Sequence, residues 1–232
     1  MAREVPSDNA TAHSASDYEL EVERTIPFHA EILRTAVDVA LAARPNPSRW
    51  LDTGAGPGRL VELASARSPS TSFFAADPSD AMLAIAGTRI APERLIRATS
   101  ESLPVASSYG GPLDVITAVQ CHHYGDAAAR ERSVARCRDL LAPGGGVLVV
   151  FENVRAETDR GHAIQRERWA SWQRAQGRDE ETVNKHLERE GKAFFPIRVS
   201  EHLELFRRLG FEAVEIIWRA YGQAGFLALV GR

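Results

Sequence analysis

Cysteine is scarce in this chain: Cys121 and Cys137 are the only two among 232 residues, and they form no CxxC pair. That argues against a disulfide framework and against a structural zinc site. Long hydrophobic runs are missing as well. No stretch could span a bilayer, and the N-terminus lacks the apolar segment of a secretory signal, so a cytoplasmic protein without a membrane partner is expected. Charge of neither sign dominates, because 28 Lys and Arg face 31 Asp and Glu, for a net charge of −3. With no global basic field, nucleic acid is not an expected partner. Arg130, Arg132, Arg136 and Arg138 do cluster, but they alternate with acids and read as the solvated face of a helix. The seven histidines show no metal-ligand spacing, so no catalytic metal is expected.

What is present is ordinary globular material, 44% hydrophobic and 25% charged, enough to build one domain around a core. Residues 1–16 are rich in Ala, Ser, Asp and Asn without apolar periodicity and read as a mobile tail. Residues 17–232 read as a single domain that opens with a helical cap over 17–47. There Ile32, Leu33, Ala36, Val37, Ala40 and Leu41 recur at helical spacing until Pro45 and Pro47 stop the run. Strands are expected next at Arg49–Thr53, Ser72–Asp77, Arg94–Ala98, Leu113–Val119 and Val147–Glu152. Helices at Gly58–Ala66, Ser79–Ile90 and Ala127–Leu141 alternate with them. Such alternation, with apolar strands, indicates an α/β fold with a doubly wound, mostly parallel sheet covered on both faces. After Asn153 the pattern turns polar, and residues about 154–199 read as an inserted helical lid. A helix at Ser200–Leu209 follows, then strands near Phe211–Trp218 and Gly225–Val230, close enough to pair as an antiparallel hairpin and complete a seven-stranded sheet.

The most informative stretch is Trp50-Leu51-Asp52-Thr53-Gly54-Ala55-Gly56-Pro57-Gly58, where an apolar strand gives way to a helix. Its glycines permit a tight turn and close approach of the backbone to a ligand. The spacing differs from GxGxxG, and an acid precedes the first glycine, which points away from pyrophosphate. Asp77 then ends the second strand, about twenty residues after the turn, where a carboxylate can accept from two ribose hydroxyls.

From about Trp50 to Phe151, and again in its closing strands, the chain resembles the class I S-adenosylmethionine-dependent methyltransferases, a Rossmann-like family. The family's acid-x-Gly-x-Gly-x-Gly motif is met at Asp52, Gly54, Gly56 and Gly58, and Asp77 resembles its ribose-binding acid. Ala98–Pro104 resembles the segment bordering the adenine, and Leu140–Phe151 the Leu-x-Pro-Gly-Gly run before the fifth strand. Many relatives carry an Asp where Thr99 stands, so here Thr99, Ser100 or a backbone group must meet the adenine amino group. The resemblance implies S-adenosylmethionine as cofactor, with Gln120 in the loop after the fourth strand also in its site.

That loop, Gln120-Cys121-His122-His123-Tyr124, is expected to face the sulfonium. A histidine there can serve as general base, with His123 preferred over His122. Glu152 and Asn153 are expected at the end of the fifth strand, looking into the cleft, to hold an acceptor or take a proton. Tyr18, His29, Trp169, Trp172, His186, Phe194, Phe195, Arg198, His202 and Gln223 are the candidate wall residues. The leading function is methyl transfer to a small molecule. The alternative is cleavage or cyclisation of S-adenosylmethionine itself, as azetidine-2-carboxylate synthases do with release of methylthioadenosine. RNA or protein methylation and silent ligand binding rank below. The sequence does not determine the oligomeric state.

Overall fold

The computed structural model describes residues 11–231. Short helix α1 (Tyr18–Val22) and α2 (His29–Ala43) lead into β1 (Arg49–Thr53), α3 (Arg59–Arg67), β2 (Ser72–Asp77), α4 (Asp80–Ala86), β3 (Leu95–Arg97), β4 (Val115–Val119), α5 (Ala127–Leu140) and β5 (Val147–Arg155). In the stretch after β5 lie α6 (Asp159–Ala175) and α7 (Glu180–Glu188), the helices of the expected lid. The chain closes with β6 (Ile197–Arg198), α8 (Val199–Arg208), β7 (Ala213–Ala220) and β8 (Gln223–Leu229).

The main sheet runs β3-β2-β1-β4-β5-β8-β7. β1 to β5 are parallel, and β8 is reversed between β5 and β7. Consecutive residues of the strands feed opposite faces, as the two-residue period of a strand requires. Trp50, Phe73, Val149 and Phe151 pack with Ile32, Val37 and Leu60 on one side. Leu51, Phe74, Leu148 and Val150 pack with Val134, Phe206 and Phe226 on the other. Each such large apolar side chain, fully buried, contributes about 1.5–3 kcal/mol. Side-chain caps start α4 and α5: the Met82 amide donates to Ser79 Oγ at 3.1 Å and the Ala129 amide to Asp126 Oδ1 at 2.8 Å. Because β1 leads to β2 on one side and lies beside β4 on the other, strand order reverses there, and the crevice opens above the carboxyl ends of β1 and β4.

Four local expectations change. The helical pattern of 17–43 is broken by Phe28, whose φ of 60° lies in the left-handed region, so the cap is two helices. β5 runs on to Arg155, because β8 pairs with it as far as Asn153↔Gln223. Tiny β6 adds an eighth strand beside that extension. Residues 11–16 of the expected tail fold back toward the crevice, with the His13 ring bonded to Thr25 at 2.9 Å; residues 1–10 lie outside the described part.

Candidate active site

The glycine turn after β1 is shaped by its neighbours. The Gly56 amide donates to Asp77 Oδ2 at 2.8 Å, and the Ser79 amide to Asp77 Oδ1 at 2.9 Å, so Asp77 ties the ends of β1 and β2 together. Gly54 has φ of 66°, and a Cβ built there would lie 2.3 Å from Cys121 Cβ. Gly56 has φ of 53°, yet a Cβ on it would meet nothing within 4 Å. The first glycine makes room for protein, whereas the second borders open space. Gly56 faces a cavity of about 280 Å³, also bordered by Gly54, Asp77, Met82, Thr99, Ser100 and His122. Gly58 starts α3 and packs on Ala86 and Ile90 instead.

Asp52 is buried at the end of β1 beside an adjoining groove. Thr117 Oγ1 donates to it at 2.6 Å, and the Trp50 indole donates to Thr117 at 3.1 Å. Burial pushes its carboxyl up to about 7; the Thr117 bond opposes this and nearby Asp77 adds to it.

Beyond β4 the two histidines part company. His122 borders the 280 Å³ cavity, with its Nε2 3.1 Å from Ser100 Oγ, which in turn bonds Thr53 at 2.9 Å. Its Nδ1 is buried without a partner, and burial lowers its pKa. His123 is 1% exposed and held from both sides. Its Nδ1 lies 2.6 Å from Glu152 Oε2, and its Nε2 is 3.2 Å from Asn153 Nδ2. Asn153 Oδ1 accepts from Gln223 Nε2 at 3.2 Å, which fixes the orientation of the amide. An amide N–H facing Nε2 leaves the ring proton on Nδ1, so Nε2 carries the lone pair.

Glu152 is where sequence and structure differ most. Since β5 continues past it, Glu152 is 0% exposed and does not look into the cleft. Its Oε1 accepts the His122 amide at 2.9 Å and its Oε2 the His123 amide at 2.8 Å, so it pins the histidine turn from beneath. Burial alone would raise its pKa, but the charge and hydrogen bond of His123, with His122 and His202 adding, hold the carboxyl down at about 2.

His123 belongs to the wall of a second, smaller cavity of about 60 Å³, shared with Gln120, Asn153, Trp169, Phe194 and Gln223. Tyr18 borders this cavity, the larger one at the glycine turn and the adjoining groove. Burial raises its phenol pKa, with Tyr124 and Asp77 adding. The lid closes by backbone bonding as well as by packing: the Phe195 amide donates to His123 O at 2.7 Å, and Arg130 reaches Phe195 O. Arg130 is therefore buried and committed, not part of a solvated face.

Of the expected wall residues, Tyr18, Trp169, His186, Phe194 and Gln223 border the small cavity. His29 lines the outer groove, and His202 is core, tilted against Phe226 with ring centroids 4.9 Å apart. Trp172, Phe195 and Arg198 border none of the three cavities. Sequence reasoning missed Thr11, His13, Thr25 and Arg189, which do border the small one. Arg189 lies in the polar insertion, where nothing in the local pattern separates it from its neighbours. Among the described residues, no group of three or more His, Cys, Asp or Glu could hold a metal ion.

With this geometry in hand, comparison with known proteins is direct. Residues 51–145 match the methyltransferase-domain family. The carboxy-S-adenosyl-L-methionine synthase of Wolinella succinogenes is 26% identical over 230 residues, covering 90% of this chain and 88% of that protein. The enzyme of the same name from Methylococcus capsulatus is 24% identical over 216 residues, covering 90% and 87%. Among solved structures, the plantazolicin methyltransferase BpumL with S-adenosylhomocysteine superposes with a TM-score of 0.66 at 13% identity, covering 94% of this chain and 99% of that one. The YcgJ protein of Bacillus subtilis gives 0.63 at 16% identity, with 88% and 100% covered. At such identities the structures speak for the fold alone.

Proposed function

We propose that this chain, an S-adenosylmethionine-dependent enzyme with the class I, Rossmann-like methyltransferase fold, methylates a small anionic acceptor seated between the sheet rim and the lid. The observation that carries the reading is the Glu152–His123–Asn153 chain, which holds an imidazole, its Nε2 on the Asn153 amide, in the wall of a small cavity beside the larger one at the glycine turn, the seat of the cofactor in this reading.

The turn at Gly54 and Gly56, with Asp77, Met82 and Ser100, fits the cofactor: the cavity opens where Gly56 lacks a side chain, and the unpartnered His122 Nδ1 and Gln120 amide border it. S-adenosylmethionine supplies a methyl group already activated on its sulfonium. The protein's own contribution is positioning and exclusion of water, together with proton removal. An acceptor hydroxyl would replace the Asn153 amide on His123 Nε2 and give up its proton there, while ionised Glu152 stabilises the imidazolium. The charge of the acceptor follows from the wall. Among the described residues, Arg189 is the one permanently charged group lining the small cavity, and no carboxylate lines it. A protonated amine would meet no carboxylate of the described residues, whereas an anion would lie in a cavity that the Arg189 guanidinium borders.

A second reading has its own support. The relatives that align with 90% of this chain are named for making carboxy-S-adenosyl-L-methionine, and a cavity of about 60 Å³ admits only a small co-reactant. Purified protein should be incubated with S-adenosylmethionine alone, then with small carboxylic and hydroxy acids, and the products read by liquid chromatography–mass spectrometry. Methyl transfer predicts S-adenosylhomocysteine only when an acceptor is present. Methylthioadenosine from the cofactor alone would replace it with a lyase or cyclase, and a sulfonium product bearing an added carboxyl would replace it with the reaction of the named relatives.

A further inference from the structure

Three carboxamides stand in a row at the rim of the sheet, at the ends of three adjacent strands. Gln120 follows β4, with its amide donating to Phe151 O of β5 at 2.7 Å. Asn153 on β5 faces Gln223 on β8 in register. All three border the small cavity. Asn153 is committed on both sides, to His123 and to Gln223. The other two are not. Gln223 is 3% exposed and uses its Nε2 on Asn153, but its Oε1 has no partner. Gln120 is 7% exposed, and neither its Oε1 nor its Nε2 has one. Gln120 is also held at φ of 56°, a left-handed conformation unusual for a residue other than glycine.

Buried amides without partners are rare in folded proteins, and each is a site where a hydrogen-bonding group from elsewhere is expected. The unmatched set has a definite character: two carbonyl oxygens against one NH2 group. A ligand that satisfies it must bring donors. Gln223 borders the small cavity and a further one of about 40 Å³ with His162 and Gln165, but not the larger cavity at the glycine turn that Gln120 also lines, so of the two it is the amide set apart for the second substrate. The donor is also neutral, because no carboxylate among the described residues lines the cavity to balance an ammonium group.

We propose that Gln223, seconded by Gln120, selects substrates that carry a neutral hydrogen-bond donor, a hydroxyl or an amide N–H, near their anionic group. The inference rests on the acceptor cavity proposed above and narrows its substrate class to hydroxy acids and their like. A site built around buried acceptors rejects an isostere lacking the donor far more strongly than an apolar pocket rejects an extra methylene, because the unmatched oxygen stays buried.

The test uses binding, not turnover. Full-length protein saturated with S-adenosylhomocysteine is titrated calorimetrically with three matched pairs: lactate and propionate, malate and succinate, salicylate and benzoate. The hydroxy acid is expected to bind about tenfold or more tightly than its partner in at least one pair. Gln223→Met is expected to remove most of that preference, and Gln120→Met part of it. Equal affinity within every pair, or no binding by any of the six, overturns the proposal. So does a preference that survives both substitutions. If a variant does not fold, the wild-type comparison still decides. Failure here is separable from failure of the methyl-transfer reading. Selective binding without S-adenosylhomocysteine formation in the product assay sinks only that reading, and turnover indifferent to the hydroxyl sinks only this one.

Discussion

His123 is set in the wall of the small cavity by Glu152, which accepts from its Nδ1 and from the backbone amides of His122 and His123. Replacing His123 with Asn should lower kcat by about 10²–10⁴-fold with little change in S-adenosylhomocysteine affinity. Glu152→Gln should fall between that and wild type in kcat, because a neutral amide no longer stabilises the imidazolium that forms when the ring takes a proton. Unchanged kcat in that variant would reduce Glu152 to a structural pin. The two glycines offer a sharper contrast. Gly54→Ala drives a Cβ to 2.3 Å from Cys121 Cβ at positive φ, so it should cost stability, about 2–5 kcal/mol. Gly56→Ala meets open space, and only the left-handed strain of about 1–2 kcal/mol applies. It should fold, with a small drop in Tm, yet lose S-adenosylhomocysteine binding by calorimetry. Retained binding would show that the ligand does not lie against the turn.

Between elements, the lid is held to the histidine turn chiefly through residues 189–196. Phe195 bonds His123 from its amide, Arg130 of α5 holds its carbonyl, and Glu190 binds His162 at 2.6 Å and also Arg166. On the other flank, Thr25 Oγ1 bonds His13 at 2.9 Å and accepts from Arg178 at 3.0 Å, while the Trp169 indole donates to Thr25 O at 2.7 Å. Segment, cap and lid therefore meet over one cavity. Arg130→Met keeps bulk in the core but leaves the Phe195 carbonyl without its cation. The acceptor KM should rise about tenfold while cofactor affinity stays as it was, since Arg130 does not border the cofactor cavity. Matching losses in both would mean that the lid and the cofactor site behave as one unit.

At the scale of the whole molecule, the crevice at the strand-order reversal leaves a carboxylate where the core would rather have none. Burial lifts Asp52 from 3.8 to about 7, so the folded state keeps a proton that the unfolded chain gives up. Stability should therefore fall as pH rises from about 4 toward 7 and level off above, where Asp52 is ionised in both states. Thermal unfolding of Asp52→Asn should lack this slope, and the difference in Tm between variant and wild type should grow across that interval. Parallel curves would mean that Asp52 is already ionised in the folded protein at low pH.

The glycine turn, Asp77 and the strands around them were legible in the sequence because local chemistry dictates them: positive φ needs glycine, a doubly buried strand needs an unbroken apolar run, and a helix start needs a cap. β1 and β2 match expectation residue for residue. The roles of Glu152, Arg130 and residues 11–13 depended on which strand or loop came to lie beside them, and no local pattern encodes that. Glu152 was expected at a strand end and lies within one, because β8, seventy residues on, extends the pairing of β5. The sequence by itself determined a Rossmann-like sheet with a glycine turn at its crevice. Only the tertiary structure decided that one histidine borders the large cavity and its neighbour the small one, since a buried carboxylate beneath the turn sets the direction of the second ring.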